Sequence, residues 1–418
     1  TMTSYYVDGA KGNDAHDGTS PASAWATVAK VNAVKLPAGA RVLFAGGETL
    51  TGTLTLRAAA EGLTFSSYGE GRATIDGGAG DGLAAEGVRG LTISRLRFTG
   101  AGRKAGNRGG RGVFLGDAKQ CLVEDVEAEG FQHAGIQVKD SSDVRVTRCH
   151  AHDNGFAGIL ARGRKLRIDH CRAINNPGDP TIRDNHSGNG ILLGGCADSV
   201  VEDCEAAGNG WDQPKGGQGN GPVGIWCHDS ERVVIQRCIA HHNMSTSGDG
   251  GGFDFDGGTR DSMLQYNYSY QNYSSGFLIW EYGSADPIAR NVIRYNVSVD
   301  DGEAGIRMGI SGGAPITDLQ IYHNTIVNRR HPCVLTQGSW AGGKFDPAGG
   351  LNGVYVRNNL LVGPKGGPVV KAAGGIRFEG NCYWSFDGKF TAGGHDGFEA
   401  WAKATGQETL DGKVVGFS

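Results

Sequence analysis

The sequence predicts an all-β fold, a solenoid of stacked parallel strands, and three observations predict it. A short unit recurs along the middle of the chain. Its anchor residue is a cysteine in the first turns and an asparagine in the later ones. Glycine is abundant and proline scarce, 72 residues against 12. That balance suits many tight turns between short strands and is far above the usual glycine share of about 7%.

The repeat is legible by eye. "AGIQVKDSSDVRVTRCHAHDNG" starts at 134, "AGILARGRKLRIDHCRAINN" at 157 and "NGILLGGCADSVVEDCEAAGNG" at 189. "VGIWCHDSERVVIQRCIAHHN", "GGFDFDGGTRDSMLQYNYSYQN", "SGFLIWEYG" and "AGIRMGI" open the next four turns, at 223, 251, 275 and 304. Each unit is a strand beginning G-I or its equivalent, a turn, a second strand, and a third short strand closed by Asn. The anchor falls at Cys149, Cys171, Cys204 and Cys238, then at Asn267, Asn296, Asn324 and Asn359, in steps of 22 to 35 residues. A period of this size with insertions marks a solenoid, and without a helical period the unit is built of strands. Stacked turns place equivalent residues about 4.8 Å apart. The cysteines then form a buried column of thiols rather than disulfides or a zinc site, whose close pairs are missing. The asparagines form a hydrogen-bonded ladder, with a second one through Asn154, Asn176, Asn209, Asn243 and Asn272.

A solenoid has open ends that need covering. Residues 23–34, "SAWATVAKVNAV", and 396–406, "DGFEAWAKATG", carry apolar residues near helical spacing and are expected as short capping helices of a single domain, 1–418. The net charge of −4 offers no basic field for nucleic acid. No apolar run approaches the roughly 18 residues of a membrane span. The start, "TMTSYYVDGA", carries no signal peptide, so a leader removed from a secreted or periplasmic protein is the expectation.

"YYVDGAKGNDAHDGTSPASAWATVAKVNA" resembles the opening of secreted bacterial right-handed parallel β-helix proteins, polysaccharide lyases among them. "HSGNGILLGG", "GPVGIWCHDS" and "GDGGGFDFDGGTRDSMLQYNYSYQN" are similar to a set of β-helix repeat proteins described as pectate-lyase-like. The resemblance implies a right-handed parallel β-helix and a carbohydrate-active enzyme. The scaffold itself serves lyases, hydrolases, epimerases and adhesins alike. The D-P-H triplet of alginate epimerases and the N-T-D and D-D pairs of polygalacturonases are absent.

Sorting the first strand of each turn by parity puts apolar residues inside. Phe253 and Phe255 point in; Asp254 and Asp256 point out, into a face shared with Trp226, His228, Leu278, Trp280 and Arg307. Aromatic side chains are platforms for sugar rings. Trp226 and Trp280 are therefore read as exposed substrate-binding walls, with Arg162 and Arg307 as clamps for a negatively charged sugar. Insertions at 176–188, 209–222 and 244–251 precede the first strands and wall the same face, adding His186, Trp211 and Lys215. His150, His152, His241 and His242 fall by the third strand and read as ordinary surface residues.

Three chemistries suit this face. In β-elimination on a uronic-acid glycan, calcium held by Asp254, Asp256 and Glu281 neutralises the substrate carboxylate. His228, Arg307 or Lys215 then takes the proton. The outward D-x-D is similar to the acidic calcium clamps of β-helix lyases, and the resemblance ranks this reading first. In hydrolysis or transglycosylation, Asp254 and Asp256, or one of them with Glu281, form the paired carboxylates. In the third reading, a non-catalytic protein only binds glycan; under each reading a monomer is expected.

Overall fold

The structure is a computed structural model that describes residues 2–58, 60–214, 221–337, 350–372 and 374–418. It consists of two compact units, one of residues 1–192 and 209–218, the other of 193–208 and 219–418.

The first unit shows how sequence periodicity becomes a stack. Strands Arg111–Gly116, Ala134–Thr147 and Ala157–Asp169 pair in parallel, with Val113 opposite Ile136 and Ile136 opposite Ile159. Further along the same turns Val123, Val146 and Ile168 align. In the third, shorter strands Ala128, Ala151 and Ala173 align. All nine side chains are buried. Each position repeats in kind because a residue inside a solenoid has as neighbours the same position one turn above and below.

The second unit repeats the rule with larger side chains. Strands Ile225–His228, Phe253–Asp256, Phe277–Tyr282 and Ile306–Gly312 pair in parallel. They line up Ile225, Phe253, Phe277 and Ile306, then Cys227, Phe255, Ile279 and Met308, all buried. Phe253 and Phe277 stack with centroids 5.2 Å apart. The inward half of the predicted parity is therefore observed.

The corners are sharp because a single residue turns the chain. Arg237, Tyr266, Tyr295, His323 and Asn358 all sit in the left-handed region, at φ between 51° and 57°. Each immediately precedes an anchor: Cys238, Asn267, Asn296, Asn324 or Asn359. The asparagines then form the expected ladder. The backbone N–H and Nδ2 of Asn267 donate to Oδ1 of Asn296, and the pattern runs on through Asn324 and Asn359 to Asn381. Glu408 ends it by accepting from Asn381. All nine cysteines are free thiols, eight of them buried.

The terminal helices are shorter than the segments expected. The N-terminal segment holds a 3-10 turn, Pro21–Ser23, and a helix Val28–Ala33 capped by the Thr27 hydroxyl. The C-terminal helix, Phe398–Thr405, buries Trp401 against Phe378, Tyr383 and Phe390. Among the described residues no helix is long and apolar enough to cross a membrane.

Candidate functional site

Strand Phe253–Asp256 places its two aspartates as the period of two requires, but the face they occupy is covered. Asp254 lies beside Trp226 on one side and Leu278 on the other, and Leu278 pairs with Arg307. Asp256 lies beside Trp280, which pairs with Gly309. Asp254 is only 1% exposed and Oδ1 of its carboxylate has no hydrogen-bond partner among the described residues. Asp256 keeps partial access to solvent.

A third carboxylate joins them from the insertion before the strand. Asp249 accepts from the backbone N–H of Gly221 and acts electrostatically on both Asp254 and Asp256. Burial is the main cause that raises all three acids, and each is raised further by other carboxylates. Asp254 and Asp256 are driven well above the ordinary aspartate range, Asp254 chiefly by burial and then by Asp256 and Asp249. For Asp256 burial is followed by Asp249, against which the Gly257 N–H works in the other direction. Asp249 is pushed up to about 6, with Arg307 opposing its burial. The pocket therefore holds protons that free aspartates would have lost.

Arg307 is wholly buried, not presented to a sugar. Its Nη1 lies 2.6 Å from Oε2 of Glu303, and its guanidinium sits 4.9 Å over the Trp280 ring. The expected tryptophan platforms are corrected on the same ground. Trp280 is 7% exposed and Trp226 3%. The Trp280 indole N–H donates to Ser311 Oγ, and its ring edge fills the space beside Gly309, where a Cβ would stand 2.0 Å from the ring. Trp226 packs against the His228 ring. Both tryptophans pack beside the aspartates and are largely covered by protein.

The remaining predicted residues separate. His228 is half-buried, with Nδ1 2.7 Å from Asp229 Oδ2, and Asp229 also accepts from the Tyr282 hydroxyl. Glu281 braces a turn: its Oε1 accepts from Gly283 N, Ser284 N and Ser284 Oγ. Its Oε2 is buried without a partner among the described residues. Arg162, His186 and Trp211 belong to the first unit and are engaged there. Arg162 makes a two-point pair with Asp140, His186 meets Asn189 and Phe156, and Trp211 donates to Asn175 under Arg103. Lys215 lies outside the described residues.

Asp254, Asp256 and Glu281 are not among the groups whose ligand atoms converge within 4.8 Å among the described residues; those groups of three occur elsewhere, in the first unit. Sequence reading missed Asp249, Asp229 and Tyr282. Asp249 stands in an insertion that had been singled out, and the other two adjoin His228 and Glu281 in "CHDS" and "WEYG".

Comparison with known proteins settles the family. The family described as right handed beta helix region matches residues 65–181, 112–293 and 179–383 in overlapping segments. The chain belongs to it. Among solved structures, this β-helix protein is similar to the GH136 lacto-N-biosidase from Eubacterium ramulus. That match has 18% identity and a TM-score of 0.64 over 80% of this chain and 67% of that one. It is also similar to the Dettilon tailspike protein, at 18% identity and a TM-score of 0.53 over 89% of this chain and 66% of that one. This β-helix chain thus spans about two thirds of the length of either protein. At these identities the likeness establishes the fold. No curated protein matches the sequence.

Proposed function

We propose that this β-helix protein is a carbohydrate-active enzyme that hydrolyses a glycosidic bond with the acidic pocket around Asp254. The observation that carries this reading is the trio of coupled acids, Asp254 buried and Asp249 and Asp256 half-buried beside it, all held above the ordinary aspartate range. Glycoside hydrolysis needs one carboxyl that keeps its proton near neutral pH and one carboxylate beside it. Asp249, which Arg307 and the Gly221 N–H draw back toward ionisation, takes the carboxylate role. Asp256, driven well above the ordinary aspartate range and keeping access to solvent, is the proton donor. Asp254, buried beside them and likewise raised, couples electrostatically to both. The likeness of fold to a GH136 lacto-N-biosidase supports the class.

Elimination is less well served. Of the two candidate bases among the described residues, Arg307 is locked over Trp280, and His228 is turned onto Asp229. The reading is tested by incubating the protein with a panel of neutral and uronate-containing oligosaccharides. Both reducing ends and the ultraviolet absorbance of unsaturated uronate products are followed. New reducing ends without that absorbance are expected. A rise in absorbance overturns hydrolysis in favour of lyase chemistry, and binding without turnover across the panel leaves a glycan-binding protein.

A further inference from the structure

A second cluster lies in the first unit, on the outer face of its third strands. Strands Glu127–Glu129 and His150–His152 pair in parallel, with Glu127 opposite His150 and Glu129 opposite His152. One E-x-E and one H-x-H frame thus form a square of four ligand-bearing side chains, since residues i and i+2 share a face and adjacent strands are about 4.8 Å apart. One oxygen of Glu127 and one nitrogen from each histidine lie within 4.8 Å of one another.

The arrangement of donors shows what belongs between them. Nδ1 of His152 lies 2.5 Å from Oδ2 of Asp153, which holds the ring and draws the N–H to that side. Nε2 then faces Oε1 of Glu127 at 2.8 Å and Oε2 of Glu129 at 3.2 Å. Arginines take the opposite oxygens. Arg97 holds Oε1 of Glu129, and Arg72 lies 3.6 Å from Oε2 of Glu127. Lone pairs of one imidazole and two carboxylates therefore point at the same place, and only a positive charge relieves their repulsion. That charge is a proton or a metal ion. His150 decides between them: its ring lies 4.4 Å from that of His152, and its buried Nε2 has no hydrogen-bond partner among the described residues. A proton shared by His152 leaves that nitrogen unused, whereas a metal employs it.

We infer that Glu127, His150 and His152, with Glu129 completing four, bind a divalent transition metal of the zinc class. Two imidazoles with carboxylates suit zinc better than calcium, which prefers oxygen alone. The histidine–carboxylate contact through Asp153 is the outer-shell support that metal-bound imidazoles commonly have. The metal would tie two successive turns together on a face separate in sequence from the Asp254 pocket, so this inference stands whether or not that pocket is hydrolytic.

The test is calorimetric titration of tag-free protein with Zn²⁺ near pH 7.5, followed by Co²⁺ and its visible absorption. One site per chain is expected, weakened at least about tenfold in His150→Ala and in His152→Ala, and by about ten- to a hundredfold in Asp153→Asn. The control His241→Ala is expected to leave the binding intact. Should His152→Ala fail to fold by circular dichroism, His150→Gln carries the test, because His150 makes no hydrogen bond through Nε2 to lose. The absence of saturable Zn²⁺ binding, or binding unchanged in both His150 variants, overturns the site and assigns the place between the ligands to a proton on His152.

Discussion

Replacing Asp256 by asparagine is expected to lower glycosidic turnover by about 10²–10⁴-fold, the range associated with loss of a positioned acid or base. It should do so with little change in substrate affinity, because the substitution keeps the shape of a half-covered side chain. Asp254→Asn separates catalysis from stability. Activity should fall, while the protein becomes more resistant to unfolding at pH 7–8. The sign follows from the raised acid: a group that holds its proton more tightly when folded favours the folded state least once the unfolded chain has ionised. The native protein should therefore lose stability as pH rises from about 4 through the folded range of Asp254 and Asp256, and Asp254→Asn should flatten part of that loss. Thermal midpoints at pH 5 and pH 8, measured beside turnover, check both halves. A variant that is both inactive and less stable at pH 8 would make Asp254 a structural group. In the pH–rate profile, the acid limb should fall as Asp249 gains a proton below about 6, and it should disappear in Asp249→Asn with most of the activity.

What made this pocket readable in part is the difference between strands and their surroundings. Parity along a strand assigns each residue a face, so Phe253 inward and Asp254 outward follow from "GFDFD" alone, as do the apolar columns at Ile225 and Cys227. Parity says nothing about what lies over the outward face. Trp280 was therefore read as an open platform, although Arg307 and Ser311 one turn later occupy its ring and its N–H. Arg307 looked like a clamp because its partner Glu303 precedes the strand in a corner, where spacing fixes no direction. Asp249 and Tyr282 were missed for the same reason. The asparagine ladders were fully legible, because a column of one residue type makes the same hydrogen bonds in every turn. Of the square formed by Glu127, Glu129, His150 and His152, only the two histidines beside the third strand stood out in the sequence. The square itself was not legible, since only register brings E-x-E beside H-x-H.

The ladder itself supports the other large effect. Each anchor follows a corner residue forced into the left-handed region, a conformation that costs a residue with a side chain about 1–2 kcal/mol. The asparagine offsets that cost by satisfying groups the corner leaves unpaired. Nδ2 of Asn324 donates to the Ile293 carbonyl and to Asn359, while its Oδ1 accepts both the backbone N–H and the side chain of Asn296. Asn324→Ala removes all four at a buried point, leaving the Asn296 N–H and the Ile293 carbonyl unsatisfied. Each such group costs about 1–3 kcal/mol, so a loss of roughly 3–5 kcal/mol is expected. Asn324→Asp should be destabilised too, in a pH-dependent way. The carboxylate still accepts from Asn296 but turns a charge toward the Ile293 carbonyl and Asn359 Oδ1. Its folded pKa is therefore raised, and the deficit should shrink as pH falls and the carboxyl regains a proton to donate. Because a solenoid couples each turn mainly to its neighbours, the damage should stay local. Amide hydrogen exchange should rise at Asn296 and at the anchors on either side, while the stacked phenylalanines at 253 and 277 stay protected. Uniform loss of protection across the second unit would instead make the ladder a global determinant of folding, rather than a series of independent corner braces.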